Sequence, residues 1–242
     1  MARIGFVGLG NMGLPMALNL IKAGHQVSGF DVAPQGVDKL KAGGGASAKD
    51  IASLAADCEI LITMLPAGKH VRQVYLGAEG IIARAKRGTL LIDSSTIDVD
   101  SARAVATMAD AKGLLMLDAP VSGGVGGAQG ATLTFMVGGP DAAFKKAEPV
   151  LAAMGKTIVH AGAAGAGQAA KICNNMILGI SMIGVSEAFV LAEKLGLDPQ
   201  KLFDISSKSS GQCWSLTSYC PVPGPVPTSP ANATIRPGSP RR

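Results

Sequence analysis

Short apolar runs alternate with segments of helical periodicity over the first two thirds of this sequence. The apolar runs predict strands at residues 3–7, 26–30, 59–64, 89–93, 114–117, 132–137 and 157–160. Apolar residues three and four positions apart predict helices between them, including 15–23, 99–112 and 141–153. Such alternation is typical of an α/β domain with a mostly parallel sheet.

A longer apolar segment follows, from Gly167 to about Leu195. It is predicted to be one helix, and because it is apolar nearly all round we expect it to be buried between layers. Lys171 and Asn175 are four residues apart, so they lie on one face of this helix and could hold the same small molecule. The alternative is a structural helix whose Lys171 reaches out to water. Asp198 and Pro199 then predict the start of a short helix that ends near Ile205.

The first strand ends in a G-x-G-x-x-G turn, and the second ends in Asp31, 21 residues after Gly10. Gly8 would permit the tight turn, Gly10 would let the backbone approach a pyrophosphate, and Gly13 would let helix and strand pack closely. Asp31 would accept hydrogen bonds from the adenosine ribose and repel a 2′-phosphate, so NAD is predicted rather than NADP. The alternative is a glycine turn followed by a capping aspartate. The predicted cofactor residues at the turn are Gly8, Gly10, Asn11, Met12 and Gly13.

Three further loops follow strands, where the ligands of open α/β sheets bind. Leu65 and Pro66 would form an apolar wall for the cofactor. Thr96 would reach the nicotinamide ribose or amide, or else would cap the next helix. Ser122, Gly123 and Gly124 offer a hydroxyl and successive backbone N–H groups that would hold a carboxylate, and the alternative is a flexible glycine loop.

Charge and composition narrow the class of protein. The formal net charge is +5, but three arginines lie in a tail without acidic residues, and the body is only about +2, too little to indicate a nucleic-acid partner. The four cysteines form no C-x-x-C pair and predict reduced thiols, with a Cys213–Cys220 disulfide as the alternative. No apolar run is expected to have transmembrane length and no secretory signal is recognised, so we expect a soluble, cytoplasmic protein without a membrane partner.

Four separated motifs agree with one another: Gly8-Leu-Gly-Asn-Met-Gly-Leu-Pro-Met-Ala17, Asp118-Ala-Pro-Val-Ser-Gly-Gly124, Gly165-Ala-Gly-Gln-Ala-Ala-Lys171 and Asn174-Asn175. Together they resemble the 3-hydroxyisobutyrate dehydrogenases of the β-hydroxyacid dehydrogenase family, over about Arg3 to Asn232. The resemblance implies NAD-dependent oxidation of a small β-hydroxy acid, with 3-hydroxyisobutyrate, an intermediate of valine catabolism, as the first candidate and methylmalonate semialdehyde as its product. A reductase of tartronate semialdehyde or another semialdehyde is the alternative.

The resemblance also implies roles for individual residues. Lys171 resembles the family's catalytic lysine, which takes the hydroxyl proton while a hydride leaves carbon, provided that desolvation lowers its pKa. The implied substrate contacts are Ser122, Gly123, Gly124 and Asn175, and the implied cofactor contacts beyond the glycine turn are Leu65, Pro66 and Thr96.

The predicted organisation is a Rossmann-type NAD-binding domain at 1–162, an incomplete all-α substrate and dimerisation domain at 163–219, and a Pro-rich, disordered tail at 220–242. The family pattern continues into further helices with a Lys-Asp-Leu motif that this sequence lacks, so a C-terminally truncated member is expected. Its long helix would keep an apolar face bare unless a second chain covers it, which predicts a homo-oligomer and impaired catalysis. A catalytically dead NAD-binding fragment is the other alternative.

Overall fold

The computed structural model describes residues 1–222 and residue 225. The strands are β1 (Arg3–Val7), β2 (Gln26–Phe30), β3 (Ala46–Ser47), β4 (Ile60–Thr63), β5 (Leu90–Asp93), β6 (Leu115–Asp118), β7 (Val121–Ser122), β8 (Leu133–Gly138) and β9 (Gly155–Gly162). The helices are α1 (Gly13–Lys22), α2 (Pro34–Ala42), α3 (Ile51–Asp57), α4 (Gly68–Leu76), α5 (Ile81–Arg84), α6 (Val99–Ala111), α7 (Gly124–Gln129), α8 (Asp141–Ala152), α9 (Ala166–Lys194), α10 (Pro199–Ser206) and α11 (Trp214–Thr217).

The strands form a nine-stranded sheet in the order β3-β2-β1-β4-β5-β6-β8-β7, and β9 pairs with β8. The first six strands are parallel, whereas β8 runs antiparallel to β6 and β7. The order 3-2-1-4-5-6 is that of a Rossmann fold, so the predicted α/β fold class is confirmed. Strands are added to the sheet on one side of β1 as far as β3 and on its other side from β4 onward, and a ligand is expected at the carboxyl ends of the strands at this switch between β1 and β4.

Two apolar cores lie on the two faces of the sheet. One is built around Phe6 and Phe135 and the other around Leu61 and Tyr75, all of them completely buried. The central strands are therefore covered on both faces, which explains why they read as continuous apolar runs rather than as alternating patterns. The two-residue strands β3 and β7 had not been predicted, because two residues cannot show a period.

Two compact units divide the chain, residues 1–171 and the part from Ile172 onward. The second unit contains the remainder of α9, together with α10 and α11. Its small core consists of Phe189, Leu216 and Cys220. Asp198 caps α10 by accepting a hydrogen bond from the Lys201 backbone N–H, as the sequence predicts.

Helix α9 has the predicted extent, but the expectation that it is buried between layers is wrong. Ile177, Ile180 and Ile183 are each more than 60 % exposed, and from Ile172 to Lys194 only Phe189 and Ala192 are buried. Within this unit, Phe189 and the partly buried Val185 of α9 contact the small core, whereas most other large apolar side chains of the helix are exposed. An apolar sequence indicates that a helix must pack against other apolar surfaces, but it does not show which part of the structure provides them.

By length and composition alone, α9 is the one described helix that could cross a membrane, with a mean hydropathy of 1.7 in its most apolar window. The expectation that no apolar run reaches transmembrane length is therefore wrong. The core helix of a soluble protein meets the same criterion, so this finding is weak evidence for a membrane location.

Candidate active site

The turn after β1 has the geometry that its three glycines predict. Gly8 has a φ of +94°, and a Cβ there would lie 2.3 Å from the Met64 carbonyl oxygen. A Cβ on Gly13 would lie 1.9 Å from the Gly8 carbonyl oxygen, so only glycine lets α1 begin this close to β1. Gly10 has open space at its Cβ position. Helix α1 begins without a capping side chain or an acidic residue in its first turn, which leaves its positive end available to an anion.

Asp31 follows β2 and its carboxylate holds this turn in place. Its Oδ2 atom accepts a hydrogen bond from the Leu9 backbone N–H at 2.6 Å, and Oδ1 accepts one from the Ala33 N–H at 2.7 Å. Helix α2 has Ala33 at its N-cap and no capping side chain, so Asp31 does not cap it. A carboxylate offers about four lone-pair sites, so both oxygens can also accept from ribose hydroxyls.

A cleft of about 950 Å³ opens beyond the carboxyl ends of β1, β2 and β4. This volume is near the upper end of the ~300–1,000 Å³ usual for small-molecule and cofactor sites, and its lining continues from the glycine turn to Asp31. Eight of the nine predicted cofactor residues line it, namely Gly8, Gly10, Asn11, Met12, Gly13, Asp31, Leu65 and Pro66. An open glycine turn, a bare helix N-terminus and a carboxylate at the second strand fit a dinucleotide.

The cleft extends further than the sequence predicted. Its additional lining comes from the start of α3, from α4 and from the loop after α4, and includes Asp50, Ile51, Ala52, His70, Gln73, Val74, Gly77, Glu79 and Gly80. With Val32, the side chains of Ile51 and Val74 give this end an apolar surface suited to a base. No motif marks these positions, because they are brought together only by the order of strands in the sheet.

The apolar wall of the cleft is fastened to the end of β5. The Leu65 backbone N–H donates to Ser95 Oγ at 2.8 Å, and Ser95 Oγ donates to Asp93 Oδ1 at 2.5 Å. Thr63 Oγ1 donates to the same Asp93 oxygen at 2.7 Å. Asp93, Ser95 and Thr63 are all buried, so these hydrogen bonds are shielded from water and hold the loop firmly.

Asp93 and Asp118 are register partners at the ends of β5 and β6. Burial raises the pKa of Asp93 to about 6, against hydrogen bonds from Ser95 and Thr63 that lower it, and the charge of Asp118 raises it further. Burial also raises the pKa of Asp118, against lowering by backbone hydrogen bonds. Neither side chain lines the dinucleotide cleft. Both carboxyl groups instead hold neighbouring loops.

Asp118 holds the start of α9. Its Oδ1 atom accepts from the Gly165 backbone N–H at 2.7 Å, and Oδ2 accepts from the Gln168 N–H at 2.9 Å. A Cβ on Gly167 would lie 2.4 Å from the Met136 carbonyl oxygen and 2.6 Å from that of Asp118. The glycine at this position is therefore required by the close approach of α9 to the sheet.

Lys171 lies one turn beyond this anchored start and is half-buried. Burial lowers the pKa of its amine from the ordinary value of 10.5. No carboxylate in the described part of the chain pairs with it. Lys171 is thus an unpaired, partly dehydrated amine, which is the state required of a general base. Asn175 follows one helical turn later and is exposed.

The remaining predicted site residues lie outside the cleft lining. Thr96 is exposed, and it is not a helix cap, because Asp98 caps α6 by accepting from the Ser101 backbone N–H at 2.7 Å. Ser122 is half-buried in β7. Gly123 and Gly124 follow it with φ values of +131° and +61°, in the left-handed region that favours glycine. Both glycines are exposed, so their backbone is accessible.

Comparison with known protein families accounts for nearly the whole chain. Residues 3–162 match the model described as the NAD-binding domain of 6-phosphogluconate dehydrogenase. Residues 165–228 match the model described as "NAD-binding of NADP-dependent 3-hydroxyisobutyrate dehydrogenase". NAD is accordingly the cofactor class of this fold, in agreement with the cleft.

Individual relatives agree with the family models. A solved structure of the Mycobacterium tuberculosis 3-hydroxyisobutyrate dehydrogenase with L-serine is 53 % identical, has a TM-score of 0.92, and is matched over 98 % of this chain and 81 % of its own. The 3-hydroxyisobutyrate dehydrogenase of Pseudomonas aeruginosa is 53 % identical over 96 % of this chain and 78 % of its own length. An NAD-dependent L-serine dehydrogenase of Pseudomonas aeruginosa is 47 % identical with the same coverage. The chain therefore belongs to the 3-hydroxyisobutyrate dehydrogenase family of NAD-dependent β-hydroxyacid dehydrogenases.

Proposed function

We propose that the chain oxidises 3-hydroxyisobutyrate to methylmalonate semialdehyde with NAD, a step of valine catabolism. The observation that carries this proposal is the half-buried, unpaired amine of Lys171, held one turn beyond the anchored start of α9. The names of two relatives that are 53 % identical support the choice of substrate.

In this mechanism the neutral amine of Lys171 removes the proton of the substrate hydroxyl group. A bound NAD would supply the acceptor for the hydride that leaves the hydroxyl-bearing carbon of the substrate. The hydroxyl-bearing carbon thereby becomes the aldehyde carbon, and Lys171 becomes an ammonium ion. In the reverse direction this ammonium returns the proton to the carbonyl oxygen.

The other proposed residues would bind and orient the substrate and the cofactor. The exposed backbone N–H groups at Gly123 and Gly124, with the Ser122 hydroxyl, would hold the substrate carboxylate, and the Asn175 amide would orient the substrate. Thr96 would contact the nicotinamide end of the cofactor. The glycine turn at Gly8–Gly13 would hold the pyrophosphate, and Leu65 and Pro66 would exclude water from one side.

A second substrate, L-serine, is favoured by specific observations. It too is a β-hydroxy acid, one relative is named for its oxidation, and a solved relative contains it. Initial rates of NADH formation with both acids, and of NADH consumption with tartronate semialdehyde, separate the candidates. We expect the highest kcat/KM for 3-hydroxyisobutyrate. A higher value for L-serine or for tartronate semialdehyde would replace the proposed substrate, and NAD binding without turnover on any of the three would leave a nucleotide-binding fragment.

The cofactor preference gives a separate prediction. Replacing Asp31 by serine removes the negative charge and the acceptor of the Leu9 N–H. A hydrogen bond to a charged group contributes about 1.5–3 kcal/mol, so we expect KM for NAD to rise about tenfold or more, with relaxed exclusion of NADP. The measurement is kcat/KM with each cofactor, and replacing the exposed Asp38 by serine is the control. An unchanged ratio between NAD and NADP would show that Asp31 serves the turn alone.

We also propose a division into a dinucleotide-binding domain at 1–162 and a helical domain at 163–219. The family models, which change between 162 and 165, support the boundary. The exposed apolar side chains of α9 support a homo-oligomer formed through the helical domain. The predicted disordered tail at 220–242 lies almost entirely outside the described residues. A cytoplasmic location remains our proposal.

A further inference from the structure

Gln168 is a completely buried polar residue with a role that the proposed mechanism does not use. Its Nε2 atom donates to the Ser95 carbonyl oxygen at 2.7 Å, and its Oε1 atom accepts from the Ile97 backbone N–H at 3.1 Å. These two hydrogen bonds bind the backbone immediately before and immediately after Thr96. One side chain of α9 therefore fixes the loop that carries a proposed nicotinamide contact.

The backbone of Gln168 is held as firmly as its side chain. Its N–H donates to Asp118 Oδ2 at 2.9 Å. Lys171 is three residues further along the same helix, which is about 4.5 Å along the axis and nearly the same face. The position of Gln168 thus determines where the Lys171 backbone stands relative to the ends of β5 and β6.

Ser95 also connects Gln168 to the wall of the cleft. Ser95 accepts from the Leu65 N–H through its hydroxyl while its carbonyl accepts from Gln168. A chain of buried and partly buried hydrogen bonds consequently joins the cleft wall at Leu65, the loop at Thr96 and the first turn of α9.

The geometry points to Gln168 as a positioning residue that sets the distance between Thr96 and Lys171, and hence between the nicotinamide end of the cofactor and the amine. This inference rests on the proposed function of those two residues. Glutamine suits the position because its amide supplies one donor and one acceptor on a side chain long enough to reach the loop. Leucine has a similar volume without either group, and an ionised glutamate keeps the acceptor but loses the donor.

The first test reads Lys171 directly and does not depend on turnover. The rate of reductive methylation of Lys171, followed by mass spectrometry over a range of pH, reports the pKa and accessibility of its amine. In the Gln168→Leu variant we expect the pKa of Lys171 to move back toward its ordinary value, because a loosened first turn admits water. Gln200→Leu, at an exposed position whose side-chain amide donates to Asp204 Oδ1, is the matched control and should leave Lys171 unchanged.

The second test separates positioning from folding. A displacement of about 1 Å costs up to about 10²-fold in rate, so Gln168→Leu should lower kcat by about 10- to 100-fold while KM for NAD changes less than about threefold. The activity of Gln168→Glu relative to wild type should be highest at low pH, where the introduced carboxyl group is protonated and can donate to the Ser95 carbonyl oxygen. Its activity relative to wild type should fall as the pH rises and that proton is lost.

The outcomes distinguish this inference from the proposed function. Unchanged Lys171 reactivity and unchanged kcat in Gln168→Leu would overturn the inference. So would a uniform increase in the reactivity of all lysines together with loss of NAD-induced thermal stabilisation, because that pattern reports general loosening. Altered Lys171 reactivity in Gln168→Leu, with full turnover in a Lys171→Ala variant, would support the positioning of Lys171 while rejecting its catalytic role.

Discussion

Replacing Lys171 by alanine is expected to lower kcat for β-hydroxy acid oxidation by about 10³-fold while NAD still binds, since a positioned general base contributes about 10²- to 10⁴-fold. The cleft that fits the dinucleotide is lined by residues 7–80 and does not include Lys171. Stopped-flow or steady-state NADH formation measures the rate, and NAD-induced thermal stabilisation measures binding. Turnover near that of wild type would reject the catalytic assignment.

The matching control is Lys194→Ala, an exposed lysine in the last turn of the same helix, and it should retain full activity. The pH profile of the unmodified protein adds an independent check. Oxidation requires the neutral amine, so kcat should rise with pH through the pKa of Lys171 and then level off. Because burial lowers that pKa, the midpoint of the rise should lie below 10.5, the ordinary value for lysine. The Lys171→Ala variant should lose this rise of kcat with pH.

Replacing Gly167 by alanine is expected to lower the free energy of unfolding by about 3 kcal/mol, the upper end of the usual cost of overpacking. The new methyl group would lie 2.4 Å from one backbone carbonyl oxygen and 2.6 Å from another. Neither is the end of a flexible side chain, so the start of α9 must move away from Asp118. Urea unfolding followed by circular dichroism measures the loss.

Gly126 in α7 provides the matched comparison, because it is exposed and has no atom within 4 Å of its Cβ position. The same substitution there should raise stability by about 0.5 kcal/mol, because alanine favours helix over glycine. If both substitutions had the same effect, close packing would not be the reason for glycine at position 167.

The fold could be predicted from the sequence where local patterns and sheet position coincide. Strands β1 and β2 were predicted to the residue, because apolar runs bounded by glycine or polar turns specify short buried strands. The roles of Gly8 and Gly13 could be predicted because a fixed spacing of glycines has only a few physical explanations. The place of Asp31 at the end of β2 could also be predicted, and its contact with the ribose stays a prediction.

The connections between distant segments could not be predicted in this way. Gln168 contacts residues more than 70 positions away, and Asp118 contacts the start of α9 from nearly 50 positions away. A single polar residue in an apolar stretch shows that a partner is needed but does not name it. The apolar pattern of α9 by itself led to the wrong expectation that this helix is buried. A bare apolar face was expected only from the resemblance, whose further helices this sequence lacks.

The hydrogen bond between Asp31 and the Leu9 N–H has an entropic consequence for recognition of the nucleotide. The proposed acceptor for the ribose is already immobilised by the turn that would hold the diphosphate, so both ends of this proposed subsite are ordered before any ligand arrives. The conformational freedom of that carboxylate is lost when the polypeptide folds rather than at the moment of association, and the dinucleotide meets a preorganised surface.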